Sequence, residues 1–329
     1  MTTPLDTRSL GRTGPSVSSP GLGTMGLSGA YGRTDDDESV RVVQAYLDAG
    51  GTLLDTADFY GAGHNEQLLR RALAGRDRDD VVLSVKFGAL LTPGGMPSGT
   101  DGRPAAVRNS LTYSLQRLGV DHVDVYRPAR LDPDVPVEDT VGAIAELVEQ
   151  GYVRHIGLSE VGAETLRRAA AVAPISDLQI EYSLLSRGIE DEILPVCREL
   201  GIGVTAYGVL SRGLIGGSGA LEGIRAVSPR FQDGNREHNQ ELVAGLAELA
   251  AARGVSTAQL AIAWVAAQDE DVVPVVGARR TGQVGTLVDS ARVQLTAAEL
   301  ARIDELVPRG AARGERYPSR FMAALDSER

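Results

Sequence analysis

Residues 51–61, Gly51-Thr52-Leu53-Leu54-Asp55-Thr56-Ala57-Asp58-Phe59-Tyr60-Gly61, hold a short apolar run that stops at an aspartate and passes into a turn. Thr52–Leu54 reads as a strand with Asp55 at its end. Upstream lies a helix pattern: an acidic first turn at Asp35-Asp36-Asp37-Glu38, apolar Val40, Val43, Ala45 and Leu47 at helical spacing, and a stop at Gly50-Gly51. Downstream the alternation recurs. Val81–Val85, Val123–Tyr126, Val153–Leu158, Asp177–Ile180, Gly203–Ala206 and Val272–Val275 read as strands. Pro104–Leu118, Val137–Glu149, Ala163–Ala171, Glu190–Leu200 and Asn235–Arg253 read as the helices between them. With a strand ending near Gly21, this gives about eight strand–helix units, the number that closes a parallel (β/α)8 TIM barrel. Thr257–Ala267 is a second helical pattern before the last strand, so one of the two is an insertion. Thr7–Ser19 reads as an N-terminal β-hairpin. No linker divides the chain, and one domain over residues 1–329 is expected. The longest irregular stretch, Gly208–Gln232, reads as a long loop at the C-terminal face, of a length that is either functional or disordered. The segment after Pro308, with Tyr317, Phe321 and Met322, is either a tail or a cover for the barrel mouth.

Composition narrows the function classes. The 329 residues carry 33 basic and 44 acidic side chains, a net charge of −11, which speaks against a nucleic-acid-binding surface. One cysteine, Cys197, excludes an internal disulfide and a multi-cysteine metal site. It stands among Ile193, Leu194, Val196 and Leu200, as a core residue would. No apolar run approaches the ~18 residues of a membrane span, and the N-terminus lacks the pattern of a signal peptide. A cytoplasmic protein with no nucleic-acid or membrane partner is expected. Of the 33 basic residues, 32 are arginine and one is lysine, Lys86. Lysine is not replaceable by arginine where a compact ammonium or a tunable pKa is needed.

In a parallel barrel the active site lies at the C-terminal ends of the strands. Asp55 ends the second barrel strand, Tyr60 follows five residues later, and Lys86 closes the third. A tyrosine, an aspartate and the lone lysine therefore converge on one mouth. An ammonium held by a carboxylate would lower the phenol's pKa, so that Tyr60 could protonate a developing alkoxide.

Six stretches in order resemble motifs of the aldo-keto reductase superfamily: Gly21–Gly26, Asp55–Gly61, Gly157–Ser159, Gln179–Ser183, Ala206–Gly213 and Val273–Arg280. The resemblance runs from Leu10 to about Leu306. It implies NADPH-dependent reduction of an aldehyde or ketone to an alcohol, with NADH as a possible alternative cofactor and a small carbonyl compound as substrate. By resemblance Tyr60 is the proton donor, Lys86 its partner and Asp55 the carboxylate that orients Lys86. Gly23, Thr24, Met25 and Asp55 lie on the cofactor side. Tyr207 stacks on the nicotinamide, and Ser159 and Gln179 bind its carboxamide. Gly208, Leu210, Ser211, Arg212 and Gly213 follow the pyrophosphate. Gly277, Ala278, Arg279 and Gln283 take the adenosine end. Arg279 suits a 2′-phosphate because a guanidinium binds it as a fork. Tyr31, Phe87, Arg127 and Ala129 are the expected substrate pocket.

Three departures stand out. Tyr126-Arg127-Pro128-Ala129-Arg130-Leu131-Asp132 places Ala129 where the family's catalytic histidine usually stands. Glu160 replaces a usual asparagine, and Thr286-Leu287 replaces a Glu-Asn pair at the adenine. The Arg-Pro-Ala-Arg version resembles pyridoxal-reductase-like members, implying an aromatic aldehyde. Loss of the histidine also fits a second function, a nicotinamide-binding sensor barrel that resembles potassium-channel β subunits. Arg127 either points into the mouth toward an anionic substrate or pairs with a neighbouring acid. His64 reads as a loop residue, with replacement of the missing histidine as its alternative. The four histidines lack metal-ligand spacing, so no metal is expected. Gly21–Gly26 also spells G-x-G-x-x-G, but the Leu27–Thr34 loop that follows does not fit a dinucleotide fingerprint, which opens a helix directly.

Overall fold

The computed structural model describes residues 5–217, 221–232 and 234–328. Thr7–Ser9 (β1) and Ser16–Ser18 (β2) pair antiparallel as the expected hairpin. Eight parallel strands then close a barrel: Gly21–Gly23 (β3), Leu53–Ala57 (β4), Val82–Phe87 (β5), Val123–Pro128 (β8), Val153–Ser159 (β9), Ile175–Glu181 (β10), Gly203–Tyr207 (β11) and Val272–Gly277 (β12). They neighbour one another in chain order, and β12 pairs with β3 to complete the ring. Ala89–Leu91 (β6) and Pro97–Thr100 (β7) form a separate antiparallel hairpin beyond β5, around the Pro93-Gly94-Gly95 turn. The strand–helix reading did not contain this hairpin.

The surrounding helices are Asp36–Asp48 (α1), His64–Leu73 (α2), Pro104–Leu118 (α3), Val137–Glu149 (α4), Ala163–Ala170 (α5), Ile193–Leu200 (α6), Asn235–Ala252 (α7), Thr257–Ala266 (α8), Thr281–Ser290 (α9), Ala297–Leu306 (α10) and Ser319–Met322 (α11). Local signals set their ends. The Asp35 side chain accepts the Glu38 N–H at the start of α1. Pro104 opens α3, and Gly119 closes it in the left-handed region. Ser256 and Gln259 form a capping box on α8. No single helix among the described residues is long and apolar enough to cross a membrane.

Inside the barrel the two ends differ. At the N-terminal end Leu53, Val125, Val273 and Val275 pack against Leu10 and Val17 of the hairpin, which plugs the floor. Toward the C-terminal end the inward positions are Asp55, Lys86, Arg127, Asp177, Gln179 and Thr205, all buried. This is why most barrel strands run past the boundaries that the apolar runs suggest. β4 continues to Ala57 and β5 to Phe87, because their last inward residues are polar but still hydrogen-bonded in the sheet. The first barrel strand begins rather than ends at Gly21. At Glu190–Leu200 the helix starts only at Ile193, after a 3-10 turn over Gly188–Glu190. In the long loop, 3-10 turns form at Ser211–Gly213, Gly223–Val227 and Pro229–Phe231.

Candidate active site

Strand alternation aims Asp55, Ser84 and Lys86 at the barrel axis from β4 and β5. The Lys86 ammonium donates to Asp55 Oδ2 at 2.6 Å. Ser84 Oγ (3.0 Å) and Gln179 Nε2 (2.8 Å) donate to Asp55 Oδ1, so the carboxylate is held from both sides. Arg127 lies in the same buried polar layer. Its Nη1 donates to Asp177 Oδ2 at 2.8 Å and to Thr205 Oγ1 at 3.1 Å, and its Nη2 donates to Ser84 Oγ at 2.8 Å. Arg127 and Asp177 are both 0% exposed. Gly157 makes room for them: a Cβ there would stand 2.7 Å from Asp177 Oδ1 and 3.2 Å from Arg127 Cζ. Ser84 thus links the Arg127–Asp177 pair to the Lys86–Asp55 pair.

The loop after β4 carries Tyr60 over this layer, with the Lys86 ammonium 5.0 Å from the ring centroid. Asn65, fully buried, braces the loop. Its Oδ1 lies 2.6 Å from Thr24 Oγ1 and 2.7 Å from Thr56 Oγ1, and its Nδ2 donates to Thr24 O. The Tyr60 hydroxyl has no hydrogen-bond partner among the described residues and faces the cleft. The phenol's pKa is pushed well above its ordinary value, first by burial and then by the Asp55 charge. The expected lowering by Lys86 is therefore not found in the free protein. The ammonium lies over the ring rather than at the oxygen, and its charge is already met by Asp55. Burial also lowers the pKa of Lys86, against the opposing pull of Asp55.

A cleft of about 1910 Å³ runs from Lys86 and Tyr60 across the rim to the start of α9. Gly23, Met25, Tyr31, Asp55, Ala129, Ser159, Gln179, Tyr207, Gly208, Leu210, Arg212, Gly213, Gly277, Arg279 and Gln283 all line it. Five expected site residues do not. Arg127 faces the barrel interior, as the pairing alternative had it. Phe87 alternates outward and stacks on Tyr126, with ring centroids 4.4 Å apart. Thr24 is committed to Asn65, Ser211 lies 3.1 Å from Ser183 Oγ, and Ala278 is buried away from the lining. His64 is also elsewhere, between Ser28 Oγ and the Asp36 carboxylate. Cys197 is a core residue whose thiol burial pushes up to about 12.

The lining suits an extended dinucleotide. The Ser159 hydroxyl has no hydrogen-bond partner among the described residues. Gly208 holds φ at +69°, and a Cβ there would press on Glu181 Cγ at 3.0 Å. Ser211 and Arg212 hold φ at +46° and +56°, strain of the kind that accompanies a built loop. Arg279 donates to the carbonyls of Tyr31, Gly32 and Arg33, tying the Tyr31 loop to the far end of the cleft.

The C-terminal segment covers the mouth, a role left open by the sequence. Its anchor is Glu160, buried with φ +53° at the end of β9. Arg316 clamps both Glu160 oxygens, at 3.0 and 2.8 Å, and Ser327 Oγ donates at 2.7 Å. Burial alone would raise this carboxyl, but Arg316 and its neighbours hold it down to about 2. Tyr207 donates to Glu160 Oε1 at 2.6 Å, so the 2.9 Å contact between Tyr207 and Tyr317 has Tyr317 as donor. The departure at Glu160 is thus the hub of the cover. Its only sequence signal was the aromatic residues in the tail.

A parallel barrel with a free phenol at one end of a long glycine-lined cleft has the build of a nicotinamide-dependent oxidoreductase. The chain belongs to the aldo/keto reductase family, whose model matches residues 21–308. It is similar to a probable aldo-keto reductase of Glycine max, 41% identical over 314 residues, covering 94% of this chain and 90% of the relative. Among solved structures it resembles a glycerol dehydrogenase from Gluconobacter oxydans, with TM-score 0.85 and 31% identity, covering 94% and 97% of the two chains. It also resembles an aldo/keto reductase from Klebsiella pneumoniae in complex with NADP and acetate, with TM-score 0.75 and 28% identity over 94% and 99% of the chains. Carbonyl reduction with NAD(P)H is the general chemistry of this protein.

Proposed function

We propose that the protein reduces an aldehyde or ketone with Tyr60 as general acid, and that it uses NADPH. The observation that carries this reading is the unpartnered Tyr60 hydroxyl, facing the cleft beside an ion pair whose Lys86–Asp55 distance is 2.6 Å. A bound reduced nicotinamide supplies a hydride to the carbonyl carbon. Tyr60 then supplies the proton. A raised phenol pKa does not oppose this transfer, because the acceptor is an alkoxide whose conjugate acid is about as weak as water. Lys86 offsets negative charge as it forms on the phenolate, and Asp55 keeps the ammonium charged and in place. Ser159 and Gln179 orient the carboxamide, Tyr207 packs on the ring, and the Gly208–Gly213 loop follows the pyrophosphate. Arg279 and Gln283 take the adenosine end, where Arg279 reaches a 2′-phosphate by releasing the Tyr31 loop carbonyls.

The test is NADPH oxidation over a panel of aldehydes and ketones that includes pyridoxal, alongside cofactor binding by fluorescence. Tyr60→Phe is expected to lose turnover by at least a hundredfold and keep cofactor affinity. Turnover like the wild type in that variant would sink the assignment. Tight NADPH binding without turnover of any carbonyl would favour the sensor barrel instead.

A further inference from the structure

We propose that Arg130 binds an anionic group on the carbonyl substrate, and that the preferred substrates are aldehydes or ketones bearing a carboxylate. This rests on the reading of Tyr60 as the acid of a carbonyl reductase. Arg130 is the second residue past the end of β8 and lines the cleft. Its Nη1 donates to Ala129 O at 2.6 Å, and the remaining guanidinium N–H groups have no hydrogen-bond partner among the described residues. No carboxylate lies within ion-pair distance of it there.

Other arginines near it are paired. Arg212 pairs with Glu181 at 3.0 Å, and Arg230 reaches the same carboxylate at 3.4 Å. Arg316 pairs with Glu160 and Glu328 and reaches Glu181 at 3.6 Å. Arg225 and Arg279, farther along the cleft, also lack a carboxylate partner among the described residues but are held by backbone carbonyls, and it is Arg130 whose charge bears on Tyr60 and Lys86. Its compensation within the protein is indirect: the Tyr317 ring, 6.0 Å from the guanidinium carbon, the oxygens of Tyr207 and Tyr317, and the charge of Glu160, which Arg316 already clamps. An anionic ligand with matching planar geometry supplies the direct carboxylate partner that the guanidinium lacks.

Position supplies the rest. The Arg130 charge bears on both Tyr60 and Lys86, so an anion bound to it lies close to the reacting carbonyl. Ala129, beside it, leaves open the volume that an imidazole would fill. The sequence pointed to Arg127 as one route to an anionic substrate. That residue is consumed by Asp177, and Arg130 has the exposure and free valence for the task.

The experiment compares 2-, 3- and 4-carboxybenzaldehyde with the matching carbamoylbenzaldehydes, equal in shape but neutral. In the wild type, the best carboxylate is expected to exceed its carboxamide at least tenfold in kcat/KM, the lower range for a charged hydrogen bond. Arg130→Met should bring that ratio to about one, whereas Arg130→Lys should keep part of it. A second readout needs no turnover: benzoate should raise the melting temperature of the NADPH-bound wild type and not of Arg130→Met. Equal ratios in wild type and Arg130→Met, or equal protection by benzoate, would overturn the proposal. If no aldehyde is reduced at all, the carbonyl-reductase reading fails, while benzoate protection still decides whether Arg130 is an anion site.

Discussion

Replacing Arg127 by methionine leaves the Asp177 carboxylate buried without its counter-ion. Both groups are 0% exposed, and the pair is joined at 2.8 Å. Breaking a buried pair from one side costs about 3–5 kcal/mol, because the remaining charge is cut off from water and keeps only hydroxyl donors, Thr205 at 2.7 Å and Ser176 at 3.4 Å. For a chain of 329 residues the unfolding entropy is about 0.7 kcal/mol per kelvin, so the melting temperature should fall by about 4–7 °C. Removing both charges, as Arg127→Met with Asp177→Leu, should recover part of the loss, since no charge is left unpaired and Ser84 keeps Asp55, while the Thr205 hydroxyl loses its 2.7 Å acceptor. Urea and thermal unfolding of the wild type, the single variant and the double variant measure both effects. A single-variant loss below about 1 kcal/mol, or a double variant no more stable than the single, would refute the account of Asp177 as the orphaned charge.

Three further outcomes are expected. Lys86→Arg should preserve the fold by far-UV circular dichroism yet lower kcat at least a hundredfold, since a forked guanidinium does not fit the slot between Asp55 and the Tyr60 ring. Ala129→His should raise kcat for small aldehydes by roughly tenfold and raise KM for carbonyls as bulky as pyridoxal, as steady-state kinetics would report. The third concerns Asp58, whose carboxyl is raised to about 7 by burial and then by the nearby Glu66 charge, and whose Oδ1 has no partner. The unfolded carboxyl loses its proton near 3.9, so this group's stabilising contribution is full below about pH 4 and falls as pH rises to about 7. Asp58→Asn should therefore be more stable than wild type at pH 8, by at most about 4 kcal/mol, with the difference shrinking toward pH 4.5 in urea unfolding.

Much of the fold was legible because the barrel repeats one unit. Pro104–Leu118 and Val137–Glu149 appear at the bounds their start and stop signals set. The strands were read too short where function intrudes. Lys86 and Arg127 are strand residues just past the ends that were read, and their polarity breaks the apolar pattern. Site residues at strand ends were legible for the same reason that the fold was: a parallel barrel brings all such ends to one rim. Direction was harder. Phe87 and Lys86 are adjacent, yet one faces the helices and the other the axis. The β6–β7 hairpin escaped because its strands are short and largely exposed: Ala89–Leu91 is apolar over only three residues, and Pro97–Thr100 has no apolar pattern.

The sequence by itself determined the eightfold alternation, the convergence of Asp55, Tyr60 and Lys86 on one mouth, and the singular place of Lys86 in an arginine-rich chain. These follow from periodicity and composition, which are local properties. Only the tertiary structure decided which arginine serves the cleft and what covers it. Arg127 found Asp177 across 50 residues, and Arg316 found Glu160 across 156. Pairings of that span depend on how the ring of strands closes and on which carboxylates remain free once it has. No local pattern encodes those pairings, and they leave Arg130 facing the cleft beside Tyr60 and Lys86 with no carboxylate within ion-pair distance among the described residues.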